Sequence, residues 1–249
     1  MAGHSKWKNI RIKKGRVDAQ KGKLFTKLSR DILIACKQGG ADPDANFRLK
    51  DAITRAREAS MPRDNIERLL DKAKGGGEGM DLDEVTYEGY GPAGVAIMVE
   101  AATNNRNRTA AEVRLIFSKN GGSVGESGCV GWLFDRKGLV HGSMKGVDEE
   151  HLMLVAIEGG AEDVSTEDGA FTLTCEVADL QGLRGQLEAA RIAVTNCELT
   201  MIAKTTVDVP DEAVAQLMRL VDLLEEHDDV QQVHANFELS EAALEALQA

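Results

Sequence analysis

The sequence of 249 residues predicts an α+β protein: an N-terminal three-helix bundle followed by two ferredoxin-like α+β domains, one inserted in the other. Three observations predict it. Up to residue 74, apolar residues recur at three- and four-residue spacing; Gly75-Gly76-Gly77 then closes that region; beyond it, strand-like and helix-like runs alternate as two interleaved copies of strand-helix-strand-strand-helix-strand. The expected division is a basic flexible arm at 1–22, the bundle at 23–77, a discontinuous α+β domain at 78–132 plus 200–249, and the inserted α+β domain at 133–199.

The segment from Lys23 to Lys37 reads as a helix with Leu24, Leu28, Ile32 and Ala35 on one stripe and Gly39-Gly40 as its stop. A second helix follows Ala41-Asp42-Pro43-Asp44, with Leu49, Ile53 and Ala56 together. A third begins at Met61-Pro62, where proline suits a first turn, and carries Ile66, Leu69, Leu70 and Ala73. The acidic run after the triple glycine reads as a linker. Glu88 to Gly94 reads as a tight connection, since its glycines precede a strand and offer no helix N–H groups to a phosphate.

The outer copy is expected to use a strand at Val95–Ala102, a helix at Ala110–Lys119 and a strand near Ser123–Trp132. It then resumes with a strand near Thr200–Val209, a helix at Pro210–His227 and a last strand at Val230–Leu239. Thr109 with Glu112 three residues on fits a capping box for the first of these helices. The inner copy runs from Gly138–Val140 through helices Glu149–Glu158 and Leu180–Ala193, with strands near Ala161–Val164, Phe171–Val177 and Val194–Leu199.

A hydrophobic content of 43% is enough for substantial cores, no apolar run approaches the ~20 residues that cross a bilayer, and no signal-peptide pattern opens the chain. A cytoplasmic protein without membrane association is expected, with a monomer as the simplest state. Cys36, Cys129, Cys175 and Cys197 lack the close pairing of zinc or redox motifs and read as small buried hydrophobes; the five histidines show no ligand spacing. No metal and no cofactor are expected. Nor is catalysis, since GxSxG, P-loop, HExxH and GxGxxG arrangements are missing from the sequence. The acidic clusters Asp208–Glu212 and Glu225–Asp229 read as solvated helix ends, although the dipole does not account for Glu225 and Glu226 at a C-terminus.

Charge carries the functional reading. Residues 1–74 hold 19 Lys/Arg and 9 Asp/Glu, net +10, which leaves 11 basic and 32 acidic residues, net −21, for the remainder. Up to Arg30 there are ten bases against one acid, Asp18. Such a segment on an acidic body suits a polyanion, each phosphate contact steepening the fall of log K with log salt by ~0.7–0.9. The expected nucleic-acid contacts are His4, Lys6, Trp7, Lys8, Arg11, Lys13, Lys14, Arg16, Lys21, Lys23, Lys27 and Arg30, with Trp7 able to stack on an unpaired base for ~1–3 kcal/mol. Asn105, Arg106 and Arg108, in the run Asn104-Asn105-Arg106-Asn107-Arg108-Thr109, form a second candidate beside a helix start. Two alternatives stay open: the arm lying along the chain's own carboxylates, and Arg108 merely pairing with an acid. The third helix presents Arg63, Asp64, Asn65, Glu67 and Arg68, a mixed face unlike a base-reading helix.

Gly3-His4-Ser5-Lys6-Trp7, Lys21-Gly22-Lys23-Leu24-Phe25-Thr26-Lys27-Leu28, Tyr87-Glu88-Gly89-Tyr90-Gly91-Pro92, the run 104–109, Phe117-Ser118-Lys119-Asn120-Gly121-Gly122 and Asp228-Asp229-Val230-Gln231 resemble the YebC/PmpR family of probable transcriptional regulators. The resemblance spans essentially the full chain. It implies an N-terminal three-helix domain with two α+β domains, and cytoplasmic nucleic-acid binding without catalysis: DNA for bacterial regulators, or ribosomal RNA and the ribosome for members tied to translation. Ile12 stands where many members have histidine, and His234 where a tyrosine is frequent.

Overall fold

A computed structural model describes residues 19–75, 81–167 and 169–248, which fall into two compact units, one of residues 132–205 and one of residues 19–131 with 206–248. Among the described residues no helix is long and apolar enough to cross a membrane.

The larger unit opens with helices α1 (Ala19–Gly39), α2 (Phe47–Glu58) and α3 (Arg63–Lys74). Leu28, Ile32, Ala35 and Cys36 of α1 repeat at helical spacing and pack against Leu49, Ala52, Ile53 and Ala56 of α2 and Ile66 of α3, with Met61 from the connection. Each fully buried aliphatic side chain there is worth roughly 1.5–3 kcal/mol. Asn46 caps α2 by accepting from the Leu49 N–H at 3.1 Å, while its amide donates to the Ala35 and Gly40 carbonyls at 2.7 Å each. One buried side chain thus fixes both the α1 stop and the α2 start.

The same unit contains an antiparallel sheet of order β3-β1-β2-β9, built from β1 (Asp83–Tyr90), β2 (Ala96–Thr103), β3 (Ser123–Val124) and β9 (Val230–Ala235). Helices α4 (Arg106–Lys119) and α7 (Asp211–Glu226) cover it, burying Val113 and Phe117, and Val214, Leu217, Val221 and Leu224, against Val95, Ile97, Val99 and Val233. A parallel ribbon of β8 (Val207–Asp208) with β10 (Phe237–Glu238) and a final helix α8 (Glu241–Gln248) complete the unit.

The smaller unit runs β4 (Phe134–Ser143), α5 (Glu149–Glu158), β5 (Ala161–Glu167), β6 (Ala170–Cys175), α6 (Leu180–Ala189), β7 (Val194–Ala203), with antiparallel sheet order β5-β6-β4-β7. This is a complete βαββαβ unit. Its core gathers Val140, Phe171, Leu173 and Cys197 from the sheet with Leu152, Leu183 and Leu187 from the helices. Gly142 is required there, because a Cβ would lie 2.1 Å from the Phe171 Cζ.

The fold class is therefore α+β, as the sequence predicts, with corrections to the outer copy. The segment 83–90, read partly as linker and partly as connection, is the strand β1. Taking β2, β3 and β9 as first, second and fourth strands, β1 fills the place that the third strand β6 holds in the smaller unit. The strand expected near Thr200–Val209 is not in this sheet. Its first residues extend β7, where Phe134 pairs with Ala203 and Lys137 with Thr200, and its last form β8. Only Ser123–Val124 of the expected Ser123–Trp132 strand is extended.

Candidate nucleic-acid interface

Of the expected contacts, His4, Lys6, Trp7, Lys8, Arg11, Lys13, Lys14 and Arg16 lie outside the described residues, as does the side chain of Lys21. The choice between a free arm and an arm laid on the chain's own carboxylates lies outside them too.

Lys23, Lys27 and Arg30 share one face of α1 at i, i+4, i+7 spacing, and that face meets the C-terminus of α7. Lys23 Nζ donates to the Glu226 carbonyl at 3.1 Å, Lys27 Nζ to the Glu225 carbonyl at 2.6 Å, and Arg30 to the Asp228 carbonyl. The last carbonyls of a helix lack intrahelical partners and carry the negative end of its dipole, so cations are favoured there by about 0.3–1 kcal/mol each. This accounts for Glu225 and Glu226 at an end where acids are unfavourable. Within the unit, Lys23, Lys27 and Arg30 clasp the bundle to the α+β part. Further along the bundle, Lys37 donates to the Leu82 carbonyl at 2.9 Å, and Arg48 pairs with Glu84.

Asp229, just before β9, is the hub of this clasp. Its side chain is 3% exposed; Oδ1 pairs with Arg30 at 2.9 Å, while Oδ2 accepts from Arg108 at 2.8 Å, Thr109 at 2.7 Å and Thr103 at 3.2 Å. Burial works to raise its pKa, but the Thr109 hydroxyl and the two guanidiniums outweigh it and hold the carboxyl below its ordinary value. The run Glu225–Asp229 is thus not a wholly solvated end: its last residue is buried.

The run 104–109 starts α4 differently from the expected capping box. The cap is Asn105, whose side chain accepts from the Arg108 N–H at 3.1 Å. Thr109 lies inside the helix, its hydroxyl 2.8 Å from the Thr103 hydroxyl and bonded to Asp229. Glu112 instead faces His227, Oε2 to Nε2, at 2.9 Å. Arg108 pairs with an acid, the second of the two alternatives left open by the sequence. Asn105 and Arg106 are exposed, and Arg106 has no ion pair among the described residues. The structure therefore brings Arg30 and Arg108 together on one carboxylate and leaves Asn105 and Arg106 facing solvent.

The sequence matches two family profiles, "TACO1/YebC protein N-terminal domain" over residues 5–76 and "TACO1/YebC second and third domain" over residues 82–237. The chain belongs to the TACO1/YebC family. Relatives named "Probable transcriptional regulatory protein" include one from Pelotomaculum thermopropionicum, 51% identical over 97% of this chain and 100% of that one. Another, from Natranaerobius thermophilus, is 48% identical over 98% and 99%. A crystal structure of a conserved hypothetical protein from Aquifex aeolicus is similar with a TM-score of 0.83 at 46% identity, covering 91% of this chain and 93% of that one.

In this TACO1/YebC chain the structure adds features that the sequence pattern does not carry. Glu88, 7% exposed on β1, accepts the N–H groups of Gly128 at 2.7 Å, Val130 at 2.8 Å and Gly131 at 2.6 Å, and so fixes the loop after β3. Burial alone would raise its pKa; the three N–H groups lower it below the ordinary carboxylate value. Beside that loop Cys129 is partly exposed, unlike the buried Cys36, Cys175 and Cys197. Ligand-type atoms of Glu112, His227 and Asp229 lie within 4.8 Å of one another. However, His227 Nδ1 accepts the Asp229 N–H at 3.1 Å, which puts the ring proton on Nε2 toward Glu112. Asp229 Oδ1 is paired with Arg30 and Oδ2 accepts from Arg108, Thr109 and Thr103, so these groups are joined in one hydrogen-bonded network. His234 is a buried β9 residue opposite Met98.

Proposed function

We propose that this protein is a cytoplasmic, non-catalytic regulator that binds nucleic acid, acting as a DNA-binding transcriptional regulator. The observation that carries the reading is the charge partition, net +10 over residues 1–74 against net −21 over the rest. Lys6, Lys8, Arg11, Lys13, Lys14, Arg16 and Lys21 contact phosphates, and His4 and Trp7 stack on or bond to bases. Asn105 and Arg106 add a second contact beside the start of α4. The names of the relatives support regulation. The acidic remainder limits non-specific association and offers a surface to proteins.

A second reading, binding of ribosomal RNA on the ribosome, is favoured by the outer face of α3. There Arg63 is tied to Glu67 at 2.6 Å, and Asp64 and Asp71 are exposed, which is a poor face for reading base edges in a major groove. Crosslinking in cells followed by sequencing of the recovered nucleic acid tests both. Enrichment of promoter fragments is expected, enrichment of ribosomal RNA would move the assignment to translation, and recovery of neither above an uncrosslinked control would overturn the reading.

A further inference from the structure

The described basic side chains of the bundle divide into two sets. Lys23, Lys27 and Arg30 bind carbonyl groups of the chain, Arg30 also pairs with Asp229, and Lys37 and Arg48 reach the start of β1. Arg55 pairs with Asp31 at 3.3 Å and Asp51 at 3.1 Å, Arg63 pairs with Glu67, and Lys74 lies 3.9 Å from Asp71. Lys50 and Arg57 on α2, and Arg68 and Lys72 on α3, are exposed and have neither an ion pair nor a hydrogen bond from the side chain among the described residues.

Their placement is regular. Lys50, Thr54 and Arg57 follow i, i+4, i+7 along the flank of α2 turned away from the acid-paired Arg48 and Arg55. Asn65, Arg68 and Lys72 follow i, i+3, i+7 along α3. At 1.5 Å rise per residue each row is about 10 Å long, close to three nucleotides of rise along one strand. Neighbouring acids are engaged elsewhere or form no ion pair with these bases among the described residues: Asp51 turns to Arg55, Asp71, three residues after Arg68, lies 3.9 Å from Lys74, and Asp64, one turn before Arg68, forms no ion pair with it. A like-charged i, i+4 pair such as Arg68 and Lys72 costs helix stability unless an anion lies across it.

We infer that the bundle binds the phosphodiester backbone through the outer flanks of α2 and α3, by Lys50, Arg57, Arg68 and Lys72, rather than through the basic row of α1. The assignment rests on the nucleic-acid reading above and names the face on which it acts. Its chemistry is shared by DNA and RNA, because phosphates and not base edges are contacted.

The test uses the full chain and fluorescence anisotropy with a random-sequence DNA duplex and an RNA hairpin of equal length, each across a potassium chloride series. In the variant K50Q/R57Q/R68Q/K72Q the slope of log K against log salt is expected to fall by about 3, four contacts at ~0.7–0.9 each, with affinity at physiological salt down more than tenfold. The melting temperature should stay at the wild-type value, since all four side chains are exposed. The control R136Q/K145Q/R191Q, which neutralises exposed bases of residues 132–205, is expected to keep the wild-type slope. An unchanged slope in the fourfold variant, or an equal fall in the control, overturns the assignment while leaving wild-type binding in place. If the wild type binds neither probe, the functional reading falls and this inference with it. Should the fourfold variant lose its fold, K50Q/R57Q and R68Q/K72Q tested separately decide, each expected to remove about half of the effect. The nucleic acid that the wild type binds more tightly at physiological salt identifies the source of the phosphates.

Discussion

Asp229→Asn is the most informative single change in the clasp between the bundle and the α+β part of its unit. The substitution keeps the shape of the side chain but removes its charge and turns one acceptor into a donor, facing either Arg30 at 2.9 Å or Arg108 and Thr109 at 2.8 and 2.7 Å. A hydrogen bond to a charged group is worth about 1.5–3 kcal/mol, and breaking a fully buried ion pair costs about 3–5 kcal/mol. The side chains of Arg30 and Arg108 are 20% and 46% exposed, so both regain water and the expected cost falls to about 2–3 kcal/mol. For a chain of this size that is a loss of roughly 5–10 °C in melting temperature by scanning calorimetry at pH 7. The folded carboxyl lies below its ordinary pKa, so its stabilisation is present above about pH 4 and disappears as pH falls through the lowered folded value. The gap between wild type and variant should therefore be equal at pH 7 and pH 5 and close in more acidic solution. A variant melting within about 1 °C of wild type at pH 7 would refute the role given to Asp229.

Five other substitutions have expected outcomes. Glu88→Gln should lose hydrogen-exchange protection at the Gly128, Val130 and Gly131 amides and about 1.5–3 kcal/mol of stability, an effect present at neutral pH and lost in acid because the native carboxyl is held low. Asn105→Ala should cost ~1 kcal/mol as a lost cap, and Thr109→Val about 1–3 kcal/mol through Asp229, whereas Glu112→Gln should leave the helix start intact; a large loss of helix from Glu112→Gln would restore the capping box. Gly142→Ala should destabilise residues 132–205 by about 1–3 kcal/mol or more, read as a lowered transition for that unit, because Phe171 must move.

What the sequence makes legible follows from the range of the interactions involved. The stripes Leu28/Ile32/Ala35 and Leu49/Ile53/Ala56 are local patterns, and the bundle helices form where they predict. The strand β1 escapes because its alternation, Val85 and Tyr87 between Thr86 and Glu88, is short, begins in an acidic run and ends among glycines. Its pairing with β2 from Asp83↔Thr103 to Tyr90↔Ala96 supplies what propensity does not. No glycine, proline or charge in residues 199–203 marks the boundary expected between Leu199 and Thr200, and they form one strand with Cys197 and Val194. The site is less legible than the fold. Charge counting finds the basic face of α1 but cannot tell a base that faces solvent from one that meets carbonyls nearly two hundred residues away. Asp229 looks solvated among Glu225, Glu226 and Asp228 until Arg30, Thr103 and Arg108 converge on it. The exposure of Lys50, Arg57, Arg68 and Lys72 emerges only once the acids of the bundle are assigned to other bases.

The most direct test of the functional account is a salt titration of nucleic-acid binding by the full chain with Lys6, Lys8, Lys13 and Lys14 all changed to Gln. Binding should weaken to a similar degree for unrelated sequences, and the slope of log K against log salt should fall by about 3, four contacts at ~0.7–0.9 each. Affinity and slope identical to those of the wild type would contradict it.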